Sequence, residues 1–420
     1  MKLRFKKTRS KDMQSYQLSK IKELVNHAYN NSSFYRAFYD DNSFEPNMLK
    51  TYEDIELIPI IKRKQLKQAD PKSILTVKKN DGKLHSHSTS GSSGIPFTYY
   101  YSTSEELMKN LGFIRTYEYM GVSPRDITVA FRAPKRLRDK QIYERLGLFR
   151  YDYYSNYDDM EHTYELLRQK YKTIDVLKGM TSDLVNLALV VDHSNKSFPK
   201  VKKIISDSEV LDESSRDYIE SVFGTRILET YSSVDMGCIA FQVPDSKKFI
   251  LNEDQVLLET IDNASVEGDA IVTNMWNKTF PIIRYQIGDV VETGDMTSDS
   301  PTFPYRKTIE KIHGKYLDFI VLPDMTIVSP YVPKQELTHD FPEIRRFQIK
   351  QPSIDQIEIV VEPEANYNEQ TEKRILERMD KIFNNHLNCT VRVDPDLSKK
   401  TSDKFKIVDS KVGQDFLSNK

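Results

Sequence analysis

Ser88-Thr89-Ser90-Gly91-Ser92-Ser93-Gly94-Ile95-Pro96 runs straight into β-prone residues 97–101, and this junction is the most informative stretch of the chain. Hydroxyl residues interleaved with glycines make a turn whose backbone N–H groups and side-chain donors can converge on phosphate oxygens. The same composition also suits a flexible Ser/Gly surface loop. It is not a Walker loop: the Gly-Lys-Ser/Thr ending is missing, and Ile95 cannot supply the point charge of a P-loop lysine.

On the C-terminal side, residues 126–131, 200–205 and 225–228 are short β-prone runs, with helical candidates at 104–119, 158–171, 182–191 and 214–223. Strands alternating with helices predict crossover units and a sheet covered on both faces. Residues 257–273, with turn signals at Asp262-Asn263 and Glu267-Gly268-Asp269, predict hairpins instead. On the N-terminal side, Leu18, Ile21, Leu24, Val25 and Ala28 recur at helical spacing until Asn30, Asn31 and Ser32 break the pattern. A polar loop at 293–304 precedes a simpler pattern: strands at 318–322, 356–361 and 390–393, and a helix over 368–386 with Ile375, Met379, Ile382 and Phe383 on one face. The fold class is therefore mixed α/β, with β-sheets flanked by helices in a large N-terminal domain (1–314) and a small α+β C-terminal domain (315–420).

The 420 residues, 38% hydrophobic and 29% charged, are those of an ordinary globular protein. Sixty-one basic residues against sixty-two acidic ones leave no overall field to draw in nucleic acid or an anionic membrane. Cys238 and Cys389 stand far apart with no Cys/His cluster, which argues against a disulfide framework and a structural zinc site. No segment reaches the ~18 uninterrupted apolar residues of a membrane span, and the basic start is not followed by an apolar run. The expectation is a soluble cytoplasmic protein.

Three more segments bear on chemistry. In Glu229-Thr230-Tyr231-Ser232-Ser233-Val234-Asp235-Met236-Gly237, a ring able to stack on a base stands beside a carboxylate able to hold a divalent cation, although acidic groups after strands are often structural. Phe280-Pro281-Ile282-Ile283-Arg284-Tyr285-Gln286-Ile287-Gly288-Asp289 is an apolar strand ending in Gly-Asp; its carboxylate suits a ribose diol, and an ordinary hairpin turn fits as well. Lys311-Ile312-His313-Gly314-Lys315 is a hinge candidate at the domain join. The basic run at 398–408, with Lys404, has the composition of a solvated tail. His85-x-His87 lacks a third ligand at metal spacing, and Asp158-Asp159-Met160-Glu161 fits a helix N-terminus.

Taken in order, these segments resemble the AMP-forming adenylating superfamily, and within it the phenylacetate-CoA ligase and CapK-like branch. Thr89 to Pro96 is similar to the family's Thr-Ser-Gly-Ser/Thr-Thr-Gly-x-Pro loop, Tyr231 to Asp235 to its Tyr-Gly-Ser-Thr-Glu, and Arg284 to Asp289 to its Arg-Tyr-x-x-Gly-Asp. Gly314-Lys315 matches the Gly-Arg hinge, and Asp403-Lys404-Phe405-Lys406 the final Gly-Lys-Phe-Arg-like element. His27-Ala28-Tyr29, Ser33-Phe34-Tyr35-Arg36 and Ile58-Pro59-Ile60-Ile61-Lys62 are also similar to this branch.

The resemblance implies ATP, Mg2+ and a carboxylic acid as reactants, with coenzyme A as the usual acyl acceptor. It implies that Thr89, Ser90, Gly91, Ser92, Ser93 and Gly94 hold phosphates, that Tyr231, Ser232 and Ser233 line the nucleotide, and that Asp235 binds the metal. Asp289 would grip the ribose, Arg306 would add a contact, Lys315 would sit at the hinge, and Lys404 would bridge carboxylate and α-phosphate as a mobile C-terminal domain closes. Asp235 replaces the usual Glu, Val234 the usual Thr, and Lys315 the usual Arg, whose planar fork is lost. Phe303-Pro304-Tyr305-Arg306 stands where some relatives carry cysteines, so no zinc is expected. Three functions fit: acyl-CoA synthesis through the adenylate, acylation of an amine or hydroxyl acceptor for surface polysaccharide, and a degenerate nucleotide-binding protein without turnover.

Overall fold

The break at residues 30–32 separates two helices. Helix Ser10–Asn31 buries Ile21, Leu24, Val25 and Ala28 on one stripe. Ser32 then caps helix Ser33–Asp41, its hydroxyl accepting from the Tyr35 N–H at 3.3 Å, an interaction worth about 1 kcal/mol. Tyr35 and Tyr39, both fully buried, pack edge to face below it.

The computed structural model describes residues 10–77, 83–89, 97–132, 142–155, 160–209, 211, 213–262, 267–294, 306–312, 320–324, 327–328, 333, 336–337, 340–397 and 408–412. The chain forms two compact units, one from residues 1–89, 98–123 and 228–315, the other from 90–97, 124–227 and 316–420.

In the first unit, strands Val256–Asp262, Glu267–Asn274, Tyr285–Thr293, Thr308–Ile312, Phe249–Leu251, Gly237–Gln242 and Ile227–Ser233 lie side by side in that order, every neighbour antiparallel. Strands Leu84–Thr89 and Phe97–Ser102 form a separate pair. Helix Thr103–Tyr119 follows directly from a capping box: Ser102 Oγ accepts from the Glu105 N–H, and Glu105 Oε2 accepts from the Ser102 N–H at 2.8 Å.

The second unit holds a parallel sheet in the order Ile204–Ser206, Val176–Gly179, Ile127–Arg132, Arg150–Ser155. Helices Met160–Lys170 and Thr181–His193 supply crossovers, helix Glu213–Phe223 follows the last strand, and Leu167, Leu184, Leu187 and Ile219 close a core with Val129, Leu177 and Ile204. The same unit has a four-stranded sheet, Asn388–Val393, Gln356–Pro363, Ile344–Ser353, Val408–Ser410, packed by helix Glu369–Ile382 through Ile375, Met379 and Ile382. The mixed α/β class, with sheets flanked by helices, is thus observed.

Several expectations change in detail. The run at 200–205 is two strands, Lys200–Val201 and Ile204–Ser206. The strand expected at 225–228 extends through the Tyr231 segment as Ile227–Ser233. Glu267-Gly268-Asp269 is no turn; it begins strand Glu267–Asn274, so residues 257–273 make one hairpin. Strand Ile344–Ser353 was missed: Phe347, Ile349 and Gln351 are buried in alternation, and the charged residues between them mask the apolar face.

Candidate functional site

The Gly288-Asp289 pair is neither a strand end nor a hairpin turn. Strand Tyr285–Thr293 runs through it, with Gln286 opposite Ile271 and Val290 opposite Asp269, which leaves Ile287, Gly288 and Asp289 facing Ala270 alone. Such a bulge bends the strand and re-aims its side chains. Gly288 takes φ +83°, a left-handed conformation open to glycine at no steric cost. The re-aimed Asp289 accepts a hydrogen bond from Tyr231 Oη at 2.9 Å. Two segments 58 residues apart in sequence meet at this bond. Burial pushes the Tyr231 phenol well above its ordinary range, and the Asp289 and Asp235 carboxylates add to the shift. Tyr231 therefore stays a neutral donor.

Beyond Tyr231 the strand ends at Ser233, and the chain turns through Val234, Asp235 and Met236 into strand Gly237–Gln242. Asp235 is 3% exposed, whereas Val234 is on the surface. The turn is held on several sides. Tyr101 Oη donates to Asp235 O at 2.7 Å and lies 3.2 Å from Val234 O. Asn274 Nδ2 donates to Asp235 O at 3.0 Å, and the Met236 N–H to Ser233 Oγ at 3.3 Å. Gly237 has φ +74°, and a Cβ there would lie 3.3 Å from Lys109 Cγ.

Tyr101 is itself embedded in charge. Lys109 Nζ sits 4.3 Å from its ring centroid, 3.0 Å from Glu106 Oε2 and 3.4 Å from His87 Nε2, and His87 Nε2 is 2.8 Å from the same Glu106 oxygen. Burial raises the Glu106 carboxyl, but its bonds to Lys109 and His87 outweigh that and hold it below its ordinary value. His87 belongs to strand Leu84–Thr89 and Tyr101 to strand Phe97–Ser102, the strands on either side of residues 90–96.

The motif residues nearer the N-terminus brace the strand that carries Asp289. Arg284 Nη1 donates to Glu56 O and Ile58 O, both at 2.6 Å, while its Nε and Nη2 engage Glu259 at 3.1 and 2.9 Å. Ile61 exchanges backbone hydrogen bonds with Arg284 and Gln286 at 2.9 and 3.0 Å. Tyr35 Oη donates to Pro281 O at 2.9 Å and accepts from the Ile283 N–H at 3.2 Å. Segments 33–36, 58–62 and 280–289 therefore form one structural block, which their separation in sequence does not suggest.

No family model matches the chain. Protein CapK of Staphylococcus aureus is 24% identical over 336 residues, spanning 76% of this chain and 71% of that protein. A solved structure of 2-hydroxyisobutyryl-CoA ligase in complex with 2-HIB-AMP and CoA, in the thioesterification state, superposes with a TM-score of 0.67 at 17% identity, covering 99% of this chain and 93% of that one. The open conformation of the same ligase gives 0.62 at 16% identity over 96% and 92%.

The fold is that of 2-hydroxyisobutyryl-CoA ligase. The resemblance drawn from the motifs is borne out, and the CapK relative supports the CapK-like branch. Within this fold, Tyr231, Ser232, Ser233, Asp235 and Asp289 fall in one unit, with Tyr231 and Asp289 in direct contact. Thr89 closes strand Leu84–Thr89. Ser90, Gly91, Ser92, Ser93, Gly94, Lys315 and Lys404 lie outside the described residues, as does the side chain of Thr89. Arg306 is 3% exposed and lies 3.4 Å from Glu253 Oε2, so a direct nucleotide contact would require that ion pair to open. Burial lowers the Arg306 guanidinium and raises the Glu253 carboxyl, and each opposes the other's shift. Among the described residues no cluster of three or more His, Cys, Asp and Glu is placed to hold a metal, and no helix is long and apolar enough to cross a membrane.

Tyr101, Glu106, Lys109 and His87 were not among the residues the sequence singled out for the site. Glu106 and Lys109 are an i,i+3 pair, which the helix predicts by itself. The arrival of His87 and of the Asp235 turn depends on tertiary pairing and has no local signal.

Proposed function

We propose that this chain is an AMP-forming ligase: a carboxylic acid attacks the α-phosphorus of ATP, pyrophosphate leaves, and the acyl group of the adenylate passes to coenzyme A. The observation that carries this proposal is the Tyr231–Asp289 hydrogen bond, 2.9 Å long, set in an adenylating fold. It places a neutral aromatic ring and a half-buried carboxylate side by side, the pair a nucleoside needs: a stacking face for the base and an acceptor for the ribose hydroxyls.

Asp235 suits magnesium, which commonly takes one or two carboxylates and completes its shell with water and substrate phosphates. It is buried beside Tyr101 and Tyr231, whose phenols both feel its charge. Bound there, the ion would supply charge neutralisation on the phosphates. The remaining work falls to this chain's own groups. Asp289 orients the ribose, the Ser90 to Gly94 segment holds the outer phosphates, and Lys404, carried by the C-terminal domain from residue 315 onward, pairs with the reacting carboxylate and α-phosphate. At about 4 Å an ammonium contributes about 4 kcal/mol per unit charge at an effective dielectric of 20. Positioning and preorganised charge thus carry the catalysis.

Coenzyme A is favoured as acceptor by the ligase that superposes over nearly the whole chain and was solved with 2-HIB-AMP and CoA. The motif resemblance to the CapK-like branch implies a second acceptor class, an amine or hydroxyl of a surface glycan precursor. Incubation with ATP, magnesium, a panel of aryl, hydroxy, fatty and amino acids, and coenzyme A, followed by mass spectrometry, distinguishes them. AMP with a thioester supports the first, and pyrophosphate with an acyl-adenylate that yields no thioester supports the second. ATP left intact with every acid contradicts both.

A further inference from the structure

We propose that Tyr101 is a positioning residue for Asp235, coupling the strands that flank the Ser/Gly-rich segment to the turn that holds the metal-binding carboxylate. The inference rests on the nucleotide-binding function proposed above and assigns a role to residues outside the matched motifs. Three observations carry it. First, the Tyr101 hydroxyl, on a side chain 2% exposed, donates to Asp235 O at 2.7 Å and reaches Val234 O at 3.2 Å, so a single phenol spans two consecutive carbonyls of the turn. Second, Lys109 braces the far end of that turn: its aliphatic stem packs where a Gly237 Cβ would lie, at 3.3 Å, while its ammonium rests 4.3 Å from the Tyr101 ring centroid. A cation there attracts the face of the ring and fixes its plane. Third, Glu106 bridges Lys109 and His87 at 3.0 and 2.8 Å, which ties strand Leu84–Thr89 into the same assembly.

Asp235 is one methylene shorter than glutamate, so its carboxylate has less reach with which to correct a displaced backbone. The position of the turn thereby becomes the determinant of where the carboxylate stands. Tyr101 sets that position through the main chain, by way of the Val234 and Asp235 carbonyls.

The test is equilibrium binding of ATP to the full chain, with magnesium and with EDTA, for wild type, Tyr101→Phe, Lys109→Met and Tyr164→Phe. Tyr164 supplies the control because its buried hydroxyl also has two partners, Ser194 Oγ at 2.7 Å and Lys196 O at 3.1 Å, in the other unit. Tyr101→Phe keeps the ring and loses only the hydroxyl, and is expected to weaken Mg-ATP binding about tenfold, the upper range for one hydrogen bond, with ATP binding in EDTA unchanged. Lys109→Met keeps the stem and is expected to weaken Mg-ATP binding about threefold in the same selective way. Tyr164→Phe lowers thermal stability without changing either affinity. If Tyr101→Phe and Lys109→Met lower only the melting temperature, or weaken both forms of ATP equally, Tyr101 is a packing residue and the proposal is overturned. Wild type that binds neither form overturns the nucleotide function itself, a different outcome from wild type that binds while Tyr101→Phe binds equally well.

Discussion

Replacing Arg284 by methionine probes the block that holds the Asp289 strand. Methionine preserves most of the side-chain length and removes the contacts to Glu56 O, Ile58 O and both Glu259 oxygens. The side chains of Arg284 and Glu259 are 8% and 17% exposed, so the pair lies largely out of water. Burial already raises the Glu259 carboxyl, and the Arg284 charge is the main influence opposing it. Stranding one member of such a pair costs about 3–5 kcal/mol. Arg284 also holds φ +43°, a left-handed backbone that costs a non-glycine residue about 1–2 kcal/mol and persists because its surroundings fix it. The expected loss is therefore about 3–5 kcal/mol in urea denaturation, accompanied by faster hydrogen exchange at the Ile61 and Gln286 amides that flank Arg284. Glu259→Gln in the Arg284→Met background should recover at least about 1 kcal/mol, since a neutral amide replaces the stranded carboxylate. A loss under about 1 kcal/mol, with exchange at Ile61 unchanged, would refute the lock.

Tyr231→Phe deletes the donor to Asp289 and should weaken ATP binding by about 1 kcal/mol, roughly fivefold, measured calorimetrically; the half-buried carboxylate regains water, which keeps the effect below the usual range for a charged hydrogen bond. Asp183 is buried at the start of helix Thr181–His193, and burial first, then the Glu209 charge, drives its carboxyl well above the ordinary 3.8. Because the native state binds this proton more tightly, its contribution is full below about pH 3.8 and is lost as pH rises toward the native value. Asp183→Asn retains an acceptor for the Met180 N–H, 3.1 Å away in the wild type, and should become progressively more stable than wild type above that pH in denaturation series. A stability difference that stays flat with pH would remove the buried carboxylic acid from the account.

Much of the architecture was legible because it rests on local periodicity. Ile21, Leu24, Val25 and Ala28 mark a buried helix stripe, Asn368 caps the helix that follows it, and residues 128–131 are buried without a break because both faces of a parallel sheet are covered. Strand Ile344–Ser353 escaped notice because Arg345, Arg346 and Lys350 interrupt the alternation that Phe347 and Ile349 establish. In the candidate site, the motif residues were legible while their geometry was not. A glycine followed by aspartate reads equally as a turn; only the register against strand Glu267–Asn274 shows the bulge that aims Asp289 at Tyr231. His85-x-His87 reads as a poor metal site on spacing, and nothing local reveals that His87 meets Glu106 from a helix 19 residues away. Arg284 read as one member of a motif, whereas its partners at 56, 58 and 259 are supplied by the fold.

The central claim, that a carboxylate is activated at the α-phosphate of ATP under the control of Lys404, is tested most directly by exchange of labelled pyrophosphate into ATP in the presence of an acid panel. Wild type should incorporate label with at least one acid, and Lys404→Ala should lose incorporation while still binding ATP. Undiminished incorporation in Lys404→Ala, or none in wild type with any acid, would contradict the account.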